Sequence, residues 1–247
     1  MPHSSSECGA GANPLPDYSL AGLKDVAVWT FAVVAGFTVM RQCRKPASLP
    51  GRLFLLIMNR SHVGVTKWGL DHVAIEKDFT VLDIGCGGGK TVQTLAEVAS
   101  EGKIYGIDYS RASVAASRRT NARAIEAGRV DIREGTVSSL PYADGTFDVV
   151  SAVETHYYWP DPLADMRETL RVLKPGGRLV VIAETYKGRQ LDIVYRPAMK
   201  LLGATYLTPA EHKDLLTKAG YSEVDVFEEP SKGWICAVGQ KLNSHGS

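Results

Sequence analysis

The sequence predicts an α/β fold: a mostly parallel sheet with helices on both faces, ending in antiparallel strands. Three observations predict it. Short β-branched runs recur from residue 79 onward: TVLDI at 80–84, KIYGID at 103–108, RVDIRE at 129–134, FDVVSAV at 147–153 and RLVVIAE at 178–184. Amphipathic stretches separate them, one with Val92, Leu95, Ala96 and Ala99 on a face, another with Leu163, Met166, Leu170 and Leu173. Such alternation implies crossovers and a parallel sheet covered on both sides. Finally, YSEVDVFEE and GWICAVGQK follow each other with no helix between, and such neighbours pair antiparallel.

Taken in order, residues 1–18 are rich in Ser, Gly and Pro and read as a disordered tail. Residues 19–76 read as an N-terminal helical cap, with a helix over 19–42, the breaker KPASLPG at 45–51 and a second helix over 52–75. Residues 77–247 form the α/β domain. Gly102 and Gly128 stand where helix C-caps belong, and LKPGG at 173–177 reads as the turn into strand five. An insertion at 185–207 follows that strand and reads as a lid. TPAE at 208–211 is a capping box with Pro at the first helical position, and Gly220 closes that helix.

Composition narrows the function classes. The formal charge is +1, from 28 basic and 27 acidic residues, which does not point to a nucleic-acid face. Cys8, Cys43, Cys86 and Cys236 are scattered, so neither a zinc site nor a disulfide framework is expected, and a cytoplasmic setting is. The apolar run VAVWTFAVVAGFTVM at 26–40 is 15 residues long, short of the roughly 20 a membrane span needs. It reads as a buried or lid helix, with contact to a membrane surface left open.

The chemistry centres on VLDIGCGGGK, residues 81–90. A glycine loop between a strand and a helix offers backbone N–H groups to an anion. Asp108 ends the second strand, 23 residues after Gly85, where an acid can accept hydrogen bonds from both ribose hydroxyls. A dinucleotide and S-adenosylmethionine both meet those demands. Asp83 favours the second, since a carboxylate beside the loop suits an ammonium group better than a pyrophosphate.

VLDIGCGGGK, IYGIDYS, SLPYADGTFDVV and ETLRVLKPGGRLVVIAE together resemble the successive motifs of class I S-adenosylmethionine-dependent methyltransferases. They most resemble the small-molecule branch of the ubiquinone and menaquinone biosynthesis type. The resemblance spans roughly residues 60–240. It implies a Rossmann-like, doubly wound seven-stranded sheet, S-adenosylmethionine as cofactor and S-adenosylhomocysteine as product. It also implies that Asp83, Gly85, Cys86, Gly87 and Gly89 cradle the methionine end, with Asp108 on the ribose and Tyr109 against the adenine. Val137 would present its N–H to the adenine, with Leu140 near, and the backbone around Ala152 and Val153 would face the ammonium group. Relatives often carry an acid where this chain has Thr136, so the adenine amino group would meet a neutral hydroxyl.

The acceptor is expected beyond strand four, along ETHYYWPD at 154–161. Glu154 is the first candidate for binding the acceptor or removing its proton, His156 the second, and His62, before strand one, the third. Tyr157, Tyr158 and Trp159 offer an aromatic wall, and Tyr186 and Tyr195 give the lid aromatic character. The bland readings stand beside these: Glu154 bonded to a lid backbone, His156 and His62 structural, individual aromatics in the core, Cys86 a small loop residue. No metal is expected.

The expected function is methyl transfer to a small organic molecule in an enclosed pocket, with no nucleic-acid partner and as a monomer or homodimer. Alternatives are RNA or protein methylation, and a non-catalytic S-adenosylmethionine-binding regulator. A dehydrogenase ranks last.

Overall fold

The computed structural model describes residues 62–189 and 192–243. The expected tail, most of the expected cap, the run at 26–40, Cys8 and Cys43 lie outside the described residues.

The element order begins with helix α1 (Val63–Leu70), strand β1 (Thr80–Ile84), α2 (Lys90–Val98), β2 (Lys103–Asp108), α3 (Arg111–Thr120), α4 (Ala122–Glu126), β3 (Val130–Glu134) and β4 (Phe147–Val153). It continues with a 3₁₀ turn at His156–Tyr158, α5 (Pro162–Val172), β5 (Leu173–Ala183), α6 (Asp192–Leu201), α7 (Pro209–Ala219), β6 (Ser222–Glu229) and β7 (Trp234–Gln240). The seven strands form one sheet in the order β3-β2-β1-β4-β5-β7-β6. β1 to β5 run parallel, and β7 enters antiparallel between β5 and β6.

β1 shows why the sheet is buried on both faces. Leu82 and Ile84 join one apolar layer and Val81 the other, as the two-residue period of a strand requires. Helix α2 closes the second layer through Val92, Leu95 and Ala96. Strand order reverses between β1 and β4, which opens a crevice at their carboxyl ends.

Local signals hold where backbone chemistry is strict. Ser110 caps α3 by accepting the N–H of Ser113, the Thr208–Glu211 capping box opens α7, and Gly220 ends it at φ 108°. Gly128, at φ 73°, follows the short α4 as expected.

Three details differ. Gly102 is not a helix cap: α2 ends at Val98 with Ala99 as its C-cap, and a Cβ on Gly102 would lie 2.9 Å from the backbone carbonyl carbons of Asp78 and Phe79, so close chain packing demands the glycine. The stretch LKPGG is not a turn ahead of β5 but its first residues; Gly176 at φ 77° and a register shift against β4 absorb it as a bulge. The helix expected to reach residue 75 stops at Leu70. Its last N–H bonds tighten, His72 to Gly69 O and Val73 to Leu70 O, and Val73 turns into the core.

Candidate active site

A cavity of about 720 Å³ lies at the carboxyl ends of β1, β2 and β4. Its floor is the glycine loop. Gly85, Gly87 and Gly89 have φ of 71°, 50° and 83°, the left-handed region that glycine alone enters freely. The N–H groups of Gly85 and Cys86 both donate to Ile107 O, at 2.8 and 3.1 Å, which clamps the loop onto β2. A Cβ on Gly87 would meet nothing nearer than Gly85 O at 3.9 Å, so this backbone is open to a ligand.

At the end of β2, Asp108 is buried and lines the cavity. Its Oδ2 accepts the N–H of Gly87 at 3.0 Å and its Oδ1 that of Ser110 at 2.8 Å. Burial raises its pKa, and these N–H donors oppose the rise. Tyr109, exposed at 41%, and Gly135, Thr136 and Val137 continue the wall.

Asp83, Gly89 and Ala152 do not line the cavity; they stand behind its wall. Asp83 is 2% exposed, and Ser151, its register partner on β4, donates to it at 2.7 Å. Burial pushes Asp83 up to about 7, with Asp108 adding repulsion. Gly89 caps α2 against Ser117 of α3 and Asn121 at its C-cap. Leu140 packs in the core, and its N–H is taken by Glu168. Burial also keeps the Cys86 thiol protonated, as suits a loop residue rather than a nucleophile.

The far wall comes from the end of β4 and from α1. Glu154 lines it with the strained φ of 57°, rare outside glycine. Its Oε1 accepts the N–H of Glu184, and Tyr157 Oη lies 3.4 Å from its Oε2. Burial, then repulsion from Glu184, pushes Glu154 up to about 8. Tyr158, Trp159 and His62 share this wall. Burial lowers the pKa of His62, whose Nε2 lies 3.6 Å from Glu184 Oε2.

The structure separates other candidates from this wall. His156 is 2% exposed and points away from the cavity, its Nε2 3.1 Å from Nε2 of His212 on α7. Tyr157 and Tyr186 pack in a third apolar cluster with Ala183, Met199 and Ile235. The 3₁₀ turn explains the split, because it sends successive residues of HYY to different sides. Tyr195 falls on α6, and its side chain lies outside the described residues.

Thr66 and Leu70 of α1 line the cavity, as the expectation that residues 58–73 close the pocket implies, and Lys90, Thr94 and Val98 of α2 line it without having been anticipated. The i, i+4, i+8 spacing of the last three is a readable stripe. Glu184 was missed as well, since nothing in the sequence pairs it with His62.

A family profile described as a methyltransferase domain matches residues 82–181. Residues 82–181 are a methyltransferase domain. The curated relatives that the domain matches include 27-O-demethylrifamycin SV methyltransferase of Amycolatopsis mediterranei (strain S699), 39% identical over 41% of this chain and 37% of that one. Another is demethylmenaquinone methyltransferase of Shouchella clausii (strain KSM-K16), 26% identical over 74% of this chain and 86% of that one. The chain spans 54%, 58%, 32% and 37% of the first curated relatives it matches. Among solved structures, a Haloferax volcanii methyltransferase in complex with the Trm112 methyltransferase activator shares the domain's fold at a TM-score of 0.68. It is 22% identical, over 76% of this chain and 94% of that one.

Proposed function

We propose that this chain is an S-adenosylmethionine-dependent methyltransferase acting on a small organic molecule. One observation carries the reading. A single cavity is lined on one side by the glycine loop and Asp108, and on the other by Glu154, Tyr158, Trp159 and His62. A cofactor and an acceptor can meet there, and positioning is the larger part of what methyl transfer needs.

The residues present fit the cofactor. The open backbone at Gly87 suits its methionine end, Asp108 its ribose diol, and Tyr109 with Val137 its adenine. When bound, S-adenosylmethionine supplies an activated methyl group on a sulfonium. The protein's part is to hold the acceptor in line and exclude water. The small-molecule class draws support from the relatives' names, which include a demethylrifamycin and a demethylmenaquinone enzyme, and from the balanced charge. We assign residues 185–207, which follow β5 and include α6, to a lid. We place the enzyme in the cytoplasm: Cys86 and Cys236 are free and buried, and no helix among the described residues is long and apolar enough to cross a membrane.

The test is incubation with methyl-labelled S-adenosylmethionine and a soluble-plus-lipid metabolite extract, with Gly87→Arg as control. A labelled small molecule that is absent from the control is the expected result. Label found only on RNA or protein would overturn the acceptor class.

A further inference from the structure

We propose that Glu184 is a positioning residue that sets His62 as the proton acceptor, so that the methylated group is a hydroxyl on an aromatic or enolic compound. The inference rests on the methyltransferase reading above.

Glu184 directly follows β5 and does not itself line the cavity. Two bonds fix its backbone: its N–H donates to Glu154 Oε1, and its carbonyl accepts Arg189 Nη1 at 2.8 Å. From that anchored position its carboxylate reaches His62 Nε2 at 3.6 Å, inside ion-pair range and just outside hydrogen-bond range. Catalytic contacts of this length tighten when the acceptor is bound. With Nε2 turned to Glu184, Nδ1 remains to take a proton from a group in the cavity that His62 lines.

The neighbours favour this division of labour. Burial, the larger effect, raises Glu184, and the Arg189 guanidinium opposes it and favours the ionised carboxylate. Burial pushes Glu154 up to about 8, which favours its neutral form, and both of its oxygens already have partners in the Glu184 N–H and Tyr157 Oη. Lys67 of α1, Asp71 at its C-cap and Tyr158 also line the cavity. His62 is the imidazole among the side chains that line the cavity, and imidazole is the side-chain type suited to proton removal near neutral pH.

The step balances as follows. The acceptor oxygen forms its bond to the methyl carbon while the carbon–sulfur bond breaks, its electron pair going to sulfur. The O–H proton passes to His62 Nδ1, and the imidazolium is compensated by Glu184 until water removes the proton. An acceptor that keeps all its protons during attack would need neither residue.

The experiment titrates the His62 resonance by NMR in the full chain as wild type, Glu184→Gln and Glu184→Asp, with His62→Gln to assign it. Alongside, a pH-rate profile uses 1,4-dihydroxynaphthalene as hydroxyl probe and aniline as amine probe. Losing the carboxylate should move the His62 midpoint down by roughly one pH unit. Transfer to the hydroxyl probe should fall about a hundredfold, its acid limb moving with the midpoint. Affinity for S-adenosylhomocysteine should stay within about twofold, and Glu184→Asp should recover much of the rate. A His62 midpoint unmoved by Glu184→Gln, a rate loss without a shifted limb, or transfer to aniline alone would each overturn the proposal. Failure of the wild type to bind S-adenosylhomocysteine in calorimetry would instead overturn the methyltransferase reading, and the titration would still be readable.

Discussion

The backbone N–H of Gly87 donates a 3.0 Å hydrogen bond to Oδ2 of Asp108, tying the loop after β1 to the end of β2. Ser110 N–H holds the other oxygen at 2.8 Å. One carboxylate thus shapes the loop and faces the cavity. In Asp108→Asn, the carboxamide presents one oxygen to two N–H donors and sets its own NH₂ against the second. Hydrogen bonds to a charged group are worth about 2 kcal/mol, or roughly thirtyfold in affinity. Calorimetry with S-adenosylhomocysteine should show a loss of that order, with the fold retained.

Gly87 and Gly89 should respond differently to alanine. Both have positive φ, which costs a side chain about 1 kcal/mol. At Gly87 the new Cβ enters open space. At Gly89 it would lie 2.7 Å from Ser117 Cα and 2.6 Å from Asn121 Nδ2. Gly87→Ala should cost only about 1 kcal/mol in urea unfolding, from its φ alone, while weakening cofactor binding. Gly89→Ala should lower stability by about 3 kcal/mol or more, through α2 pushed from α3.

Glu154 has a folded-state pKa raised to about 8. For a raised group the stability contribution is present below the unfolded pKa and is lost as pH rises through the folded one. Wild type should therefore lose stability from about pH 4.5 to pH 8, and Glu154→Gln, which mimics the neutral acid, should lose less. Urea denaturation at pH 6, 7 and 9 should show the variant's relative stability rising with pH, by up to ~1.4 kcal/mol per unit. Glu154→Ala, leaving the Glu184 N–H without its acceptor, should cost about 1–3 kcal/mol throughout.

The sheet was legible because its strands are continuous apolar runs whose period and punctuation are local properties: four of the five parallel runs match their strands to within a residue. The glycine loop, Asp108 and the capping box were legible for the same reason, since each requirement is met within a few residues. The cavity wall was not. The sequence puts His156 and Tyr157 on equal terms with Tyr158 and Trp159, and only the 3₁₀ turn sorts them. Asp83 next to the loop suggested a ligand contact, but strand alternation turns it toward Ser151. The His62–Glu184 contact joins residues 122 positions apart, beyond any local signal.

Tyr157 and Tyr158 give opposite expectations from adjacent positions. Tyr157 is 5% exposed within the cluster of Tyr186 and Met199. Tyr157→Ala should cost about 3–5 kcal/mol by leaving a cavity in that cluster. Tyr158 lines the site from the edge of that cluster, so Tyr158→Ala should cost less stability than Tyr157→Ala and raise KM for the acceptor by about tenfold. Denaturation and kinetics on both variants should show these effects on separate axes.

The buried pair His156 and His212 should make stability fall with acid. His212 Nδ1 lies 2.9 Å from Thr208 O and so carries its hydrogen there. Its Nε2 then accepts from Nε2 of His156, 3.1 Å away, and both rings are neutral. Protonating His212 would set two N–H groups against each other, and protonating His156 would place a proton on its buried Nδ1, which has no partner among the described residues. Burial lowers both pKa values, and for His156 the neighbouring imidazole lowers it further. A depressed histidine contributes stability above its unfolded pKa of about 6.5, which is lost as pH falls toward the folded value. His62 acts with the same sign, so the comparison needs a variant that removes only the pair. The stability gap between wild type and His156→Leu/His212→Leu should be constant above about pH 7. It should shift against the wild type by up to ~1.4 kcal/mol per pH unit per imidazole below it. A gap that does not change between pH 7.5 and pH 5 would mean that this pair titrates as it does in the unfolded chain.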